Sequence, residues 1–157
     1  MITPEEKFMQ AAIEEALHTR ELGDYGVGSV IVKDDKIIAH AGNRTHIQQD
    51  PTLHAEVIAI KDAARKLGRK DLSDCVLYTT HEPCPMCAGA AIWARIPKVI
   101  WGATIEDTAE YAAKHGNDDF KWRVVNIPAK QIFESGNPKV EYVEGFMREE
   151  CKKLYHS

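Results

Sequence analysis

The sequence predicts an α/β fold, a three-layer α/β/α sandwich around a mixed five-stranded sheet that is antiparallel at its first edge. Three observations carry that prediction. Apolar residues at helical spacing near the N-terminus give way to two short strand-like runs separated by Asp34-Asp35. After these, helix and strand patterns alternate. The run Cys75-Val76-Leu77-Tyr78-Thr79 is apolar on both faces, as an inner strand requires.

The elements follow in order. Thr3 as cap, Pro4 in the first turn and Glu6 completing a capping box predict a first helix, which Phe8, Ala12, Ile13, Ala16 and Leu17 continue until Gly23. Gly28 to Val32 is a strand, and Ile37 to Ala39 its hairpin partner. Gly42 to Pro51 is polar and turn-rich, hence a loop. A second helix spans about His54 to Leu67, with Val57, Ile60, Ala64 and Leu67 on its buried face and Gly68 closing it. The strand at Cys75 leads into Pro83-Cys84-Pro85-Met86-Cys87 and a third helix through Ala94. Lys98 to Ala103 is a strand and Asp107 to Lys114 a fourth helix. Between His115 and Pro138, Val124-Val125 and Gln131 to Phe133 read as short extended pieces. Val140 to Val143 is the last strand, Phe146 to Leu154 the last helix.

A chain of 157 residues fits one domain, spanning 1–157, and can bury a core without disulfides. Apolar residues at 44% and charged residues at 28% exclude a disordered chain. A net charge of -4 argues against a surface built mainly to grip phosphate backbones. The polar, acidic N-terminus is unlike a signal peptide, and the apolar run from Ala88 to Ala94 is far short of a membrane span. The expectation is a cytoplasmic protein without a membrane partner. In that reducing setting paired cysteines are ligands or catalysts more often than disulfides.

Three ligand-type residues fall where two helices begin: His54 at the second, Cys84 and Cys87 at the third. A helix N-terminus favours the thiolate that a metal needs. One His and two Cys make three protein ligands for tetrahedral zinc and leave a position for water, the pattern of a catalytic site. Glu56, two residues after His54, is the adjacent proton carrier.

His54-Ala55-Glu56 followed by Pro83-Cys84-Pro85-Met86-Cys87 resembles the zinc-dependent nucleobase and nucleoside deaminases of the cytidine deaminase-like superfamily. The resemblance runs from the first helix to about Asp119, and more loosely over the last strand and helix. It implies one Zn2+ per chain on His54, Cys84 and Cys87, with Glu56 as general acid/base. It also implies that Asn43, eleven residues before His54, hydrogen-bonds the base, and that the Ala55 N–H lies beside the substrate carbonyl. The implied reaction is hydrolytic release of ammonia, and the implied assembly a homodimer.

Within the superfamily the chain is similar to the branch of guanine, cytosine and tRNA adenosine deaminases. Glu82 to Cys87 with Trp93-Ala94-Arg95 is typical of the guanine and tRNA enzymes. The tRNA enzymes usually carry an Asp-x-Lys-x-Gly-Ala stretch where this chain has Thr104 to Glu110, and the acidic charge disfavours tRNA further. Guanine deaminases carry an acidic pair that Asp118 and Asp119 match, one member assisting proton transfer. Trp93 stacks on or walls a flat heterocycle in this reading, with core packing as the alternative. Against it, Val140 to Tyr155 looks more like the cytosine and tRNA enzymes. The expected substrate is therefore a free heterocyclic base, guanine first; a cytosine-type base or tRNA adenosine is the alternative. Cys75 and Cys151 read as packing thiols, and the spacing of His81 calls for no ligand role.

Overall fold

The structure, a computed structural model, describes residues 3–115 and 122–155. Eleven elements follow in chain order: α1 (Glu6–Glu21), β1 (Gly28–Lys33), β2 (Lys36–Gly42), α2 (Ala55–Leu67), β3 (Cys75–His81), α3 (Pro85–Trp93), β4 (Lys98–Ala103), α4 (Ile105–Lys114), α5 (Ala129–Ser135), β5 (Glu141–Val143) and α6 (Arg148–Lys152). The sheet order is β2-β1-β3-β4-β5. β1 is antiparallel to both β2 and β3, whereas β3, β4 and β5 run parallel. The expected mixed five-stranded α/β sandwich is observed.

Alternation along the strands sorts the core into two layers. Ile31, Leu77, Val99 and Trp101 pack with Ala59 and Ala63 of α2, Ala88 and Ala91 of α3, and Phe133 of α5. On the opposite face Val30, Tyr78 and Ile100 meet Phe8, Met9 and Ala12 of α1 and Cys151 of α6. Gly28 is required where α1 crosses β1, because a Cβ there would lie 2.0 Å from the Ala12 carbonyl oxygen. Among the described residues no helix is long and apolar enough to cross a membrane.

Four local expectations are corrected. The Thr3 capping box is not used: α1 begins after Glu5, whose N–H is held by the Tyr78 hydroxyl at 3.1 Å, so docking on the sheet sets the helix start. The buried face of α2 is Ala55, Glu56, Ala59 and Ala63. Small residues let the helix lie close to the sheet, and Val57, Ile60, Ala64 and Leu67 are only half-buried. Gln131 to Phe133 is part of helix α5, whose first N–H is received by the Glu82 carboxylate at 2.8 Å. The last helix shortens to α6, preceded by Met147 in the left-handed region at φ 55°.

Candidate active site

Two helix starts meet beyond the C-terminal end of β3. His54 caps α2 and Cys84 caps α3, both with extended backbone, and Pro85 takes the first helical position, where its missing N–H costs nothing. Cys87 follows in the same turn. His54 Nδ1 lies 3.5 Å from Cys84 Sγ and 3.4 Å from Cys87 Sγ, and the three donor atoms fall within 4.8 Å of one another.

The electrostatics favour a bound cation. A hydrogen bond from Cys87 holds the Cys84 thiol down at about 4 against the opposing effect of burial, and His54 helps. Cys87, the donor of that bond, is pushed well above the ordinary thiol value. Burial opposes charge on His54, but its contact with Cys84 and the field of Glu56 raise its pKa. One imidazole and two sulfurs, one already ionised, are the soft N/S donor set that zinc takes. His54, Cys84 and Cys87 fit that ion.

Glu56 is 4% exposed on the first turn of α2, and its Oε1 accepts the Thr79 hydroxyl at 2.7 Å. Asn43, at the end of β2, is buried and lines the same cavity of about 480 Å³ as His54, Glu56 and Cys84. Its Oδ1 accepts both the N–H and the hydroxyl of Thr45. Ala55, fully buried, is the first residue of α2, where a helix leaves its N–H without an intrahelical acceptor. The structure thus brings Asn43, His54, Glu56 and Cys84 to one cavity, with Cys87 beside His54 and Cys84.

Trp93 is not part of this cluster. It ends α3 on the side opposite the buried Cys87, Ala88 and Ala91, is 88% exposed, and is not among the side chains lining the cavity. Aromatic walls come instead from Tyr25 and Trp122, set edge to face at 5.1 Å. Asp118 and Asp119 lie outside the described residues.

Several residues at the site carry no motif. Asp24, fully buried, accepts the N–H groups of Tyr25, His46 and Ile47 at 2.8 to 3.0 Å and so fixes the loop whose Thr45, His46 and Gln49 line the cavity. His81 lines the cavity; complete burial pushes its imidazole down to about 3. Its Nδ1 is 2.7 Å from Thr80 Oγ1, which accepts the Gly28 N–H. Glu82 receives the first N–H of α4 and of α5, tying the cysteine loop to both helices. Period-two counting from Leu77 along β3 would have placed Thr79 and His81 on one face; nothing local in the sequence marks Asp24.

Comparison with known proteins gives the family. Residues 2–103 match the cytidine and deoxycytidylate deaminase zinc-binding region. A guanine deaminase of Bacillus subtilis (strain 168) is 42% identical over 127 residues, covering 80% of each chain. A tRNA-specific adenosine deaminase of the same organism is 36% identical over 150 residues, covering 96% of this chain and 85% of the relative. A solved structure from work on A-to-I editing by tRNA:A34 deaminases superposes with a TM-score of 0.76 at 32% identity, covering 96% of this chain and 99% of the other. The chain belongs to the zinc-binding cytidine and deoxycytidylate deaminase family. It is a hydrolytic deaminase acting on a C–N bond.

Proposed function

We propose that the chain releases ammonia from a free nucleobase, guanine first, in a cytoplasmic setting where its thiolate ligands stay reduced. One observation carries the reading. A buried carboxylate, an amide with its oxygen already engaged and two of the three metal donors, His54 and Cys84, border one cavity walled by aromatic rings. Such a cavity suits a flat heterocycle. The guanine deaminase relative and the net charge of -4 support a small base over a polyanion.

In this reading His54, Cys84 and Cys87 hold one zinc ion, which when bound supplies Lewis-acid activation of water near neutral pH. The amide nitrogen of Asn43 and the Ala55 N–H donate to acceptors on the ring. Glu56 takes one proton from the attacking water and gives it to the ring nitrogen, then takes the proton of the newly attached hydroxyl and gives it to the departing amine, so that a C–O bond forms, a C–N bond breaks and ammonia leaves.

The tRNA adenosine reading stands second, because the tRNA-specific relative aligns over more of the chain. A homodimer belongs to either reading: the outer face of α3 exposes Trp93 and Met86, which none of the described residues covers. Ammonia release from guanine, cytosine, adenine, isocytosine, their nucleosides and a tRNA anticodon arm tests the proposal. Guanine is expected fastest, and turnover confined to tRNA would overturn it.

A further inference from the structure

Glu56 is held by more than the helix that carries it. Ser29 of β1 and Thr79 of β3 are Cα partners in the antiparallel ladder, so their side chains leave the sheet on one face. Both are fully buried. Thr79 Oγ1 lies 2.7 Å from Glu56 Oε1, and Ser29 Oγ lies 2.9 Å from Thr79 Oγ1. The competing acceptors are farther away: Gly28 O is 3.4 Å from Thr79 Oγ1, and Glu56 Oε1 is 3.5 Å from Ser29 Oγ. A hydroxyl has one proton, so the short distances set a direction. Ser29 donates to Thr79, and Thr79 donates to Glu56.

We propose that Thr79, backed by Ser29, is a positioning residue for proton transfer, holding Oε1 of Glu56 so that Oε2 is the oxygen that carries protons. The proposal rests on the assignment of Glu56 as the proton carrier. The terminal torsion of a glutamate is broad and has no strong preference of its own. A short bond from a buried hydroxyl to one carboxylate oxygen removes that freedom, and the second hydroxyl polarises the first. The balance is simple: Oε2 carries both protons of the attacking water in turn, the first to the ring nitrogen as the C–O bond forms and the second, from the new hydroxyl, to the leaving amine as the C–N bond breaks. Thr79 and Ser29 keep their own protons throughout. Two buried hydroxyls are costly beside a core this apolar unless bonded, and here the chain of bonds ends on the carboxylate.

The zinc-loaded, full-length enzyme tests this with four variants, read by ammonia release from guanine or, if the base panel returns another substrate, from that one. Thr79→Val keeps the shape and removes the donor. It is expected to lower kcat by about 10- to 100-fold with KM within twofold of wild type and zinc content unchanged. Thr79→Ser restores the donor and is expected to return kcat to within about threefold of wild type. A role in packing alone would not give a loss confined to kcat and rescued by serine. The proposal is overturned by a Thr79→Val enzyme with wild-type kcat, or by a Thr79→Ser enzyme as slow as Thr79→Val. Should Thr79→Val fail to fold, Ser29→Ala decides, a several-fold loss in kcat supporting the relay and wild-type kcat overturning it. Glu56→Gln separates the two levels. Retained activity there sinks the proton-carrier assignment, whereas an inactive Glu56→Gln beside a fully active Thr79→Val sinks the relay alone.

Discussion

The side-chain oxygen of Asn43 is held by Thr45, which donates its backbone N–H at 2.9 Å and its hydroxyl at 2.7 Å. With the oxygen engaged, the amide can meet a ligand only through its nitrogen, as a donor. Asn43→Asp keeps the size and the bonds to Thr45 but replaces that donor with an acceptor. It should lower kcat/KM for the substrate base by about 2 to 3 kcal/mol, roughly 30- to 150-fold, mostly through KM. Steady-state ammonia release measures this. A variant within threefold of wild type would remove Asn43 from base recognition.

His81 makes acid stability a measurable signature. Its folded pKa of about 3 lies far below the unfolded value near 6.5, so the folded state keeps it neutral while the unfolded chain takes up a proton. Above pH 6.5 the group contributes no pH dependence. As pH falls from 6.5 toward 3, the unfolded state binds the extra proton and stability drops by about 1.4 kcal/mol per unit, about 2 kcal/mol at pH 5. Denaturant unfolding of wild type and His81→Leu at pH 5 and pH 7.5 tests it. The wild-type loss should exceed that of the variant by about this amount; equal losses would mean the imidazole is not buried neutral.

The metal cluster was legible because its chemistry is local. His54, Glu56, Cys84 and Cys87 sit within two short motifs at helix starts, and helix starts are marked by spacing, proline and glycine. The sheet was legible because Cys75 to Tyr78 of β3 and Val99 to Trp101 of β4 are unbroken apolar runs, while α5 was not, since its seven residues are too few to show a period. The cavity walls were hidden for a different reason. Trp122, Asp24 and Thr79 reach the site through tertiary packing from segments far apart in the chain, and no local pattern records that. Trp93 was misplaced by the same gap: its position near Cys87 in sequence says nothing about which side of α3 it occupies, and the buried side is set by Ala88 and Ala91.

Asp24 should matter for stability out of proportion to its distance from the metal donors. Its carboxylate accepts three backbone N–H groups in a fully buried setting. Asp24→Ala strands those donors, at a cost of about 3 kcal/mol, which for a chain of this size lowers Tm by about 6 to 12 °C. Because His46 lines the cavity, KM should rise as well. Thermal unfolding with parallel kinetics checks both; an unchanged Tm would contradict the bonding described for this carboxylate.

Metal removal should expose one thiol selectively. Cys84 is held at about 4 by its hydrogen bonds with Cys87 and His54, whereas burial pushes Cys75 up to about 11 and Cys151 up to about 12. At pH 6 to 7 only Cys84 is then a thiolate, and it is also partly exposed. Chelator-stripped protein treated with iodoacetamide should carry the label on Cys84, and zinc added beforehand should suppress it. Mass spectrometry of the digested protein gives the answer, and comparable labelling of Cys75 or Cys151 would contradict the ordering.

Trp93 provides the test of assembly. A tryptophan 88% exposed at the end of α3, on the same helical face as Met86 at 39%, leaves an apolar strip along that face. Residues 86 and 93 lie seven apart, two turns along one face, with Gly89 and Ala90 between them offering no bulk to keep a second helix away. Aromatic residues in that position dominate interface energies. Sedimentation equilibrium of the wild-type protein should give twice the chain mass of 17.6 kDa, and Trp93→Asp should shift it to the single-chain value while leaving zinc content intact. A wild-type protein that sediments as a single chain would show that the strip serves another contact.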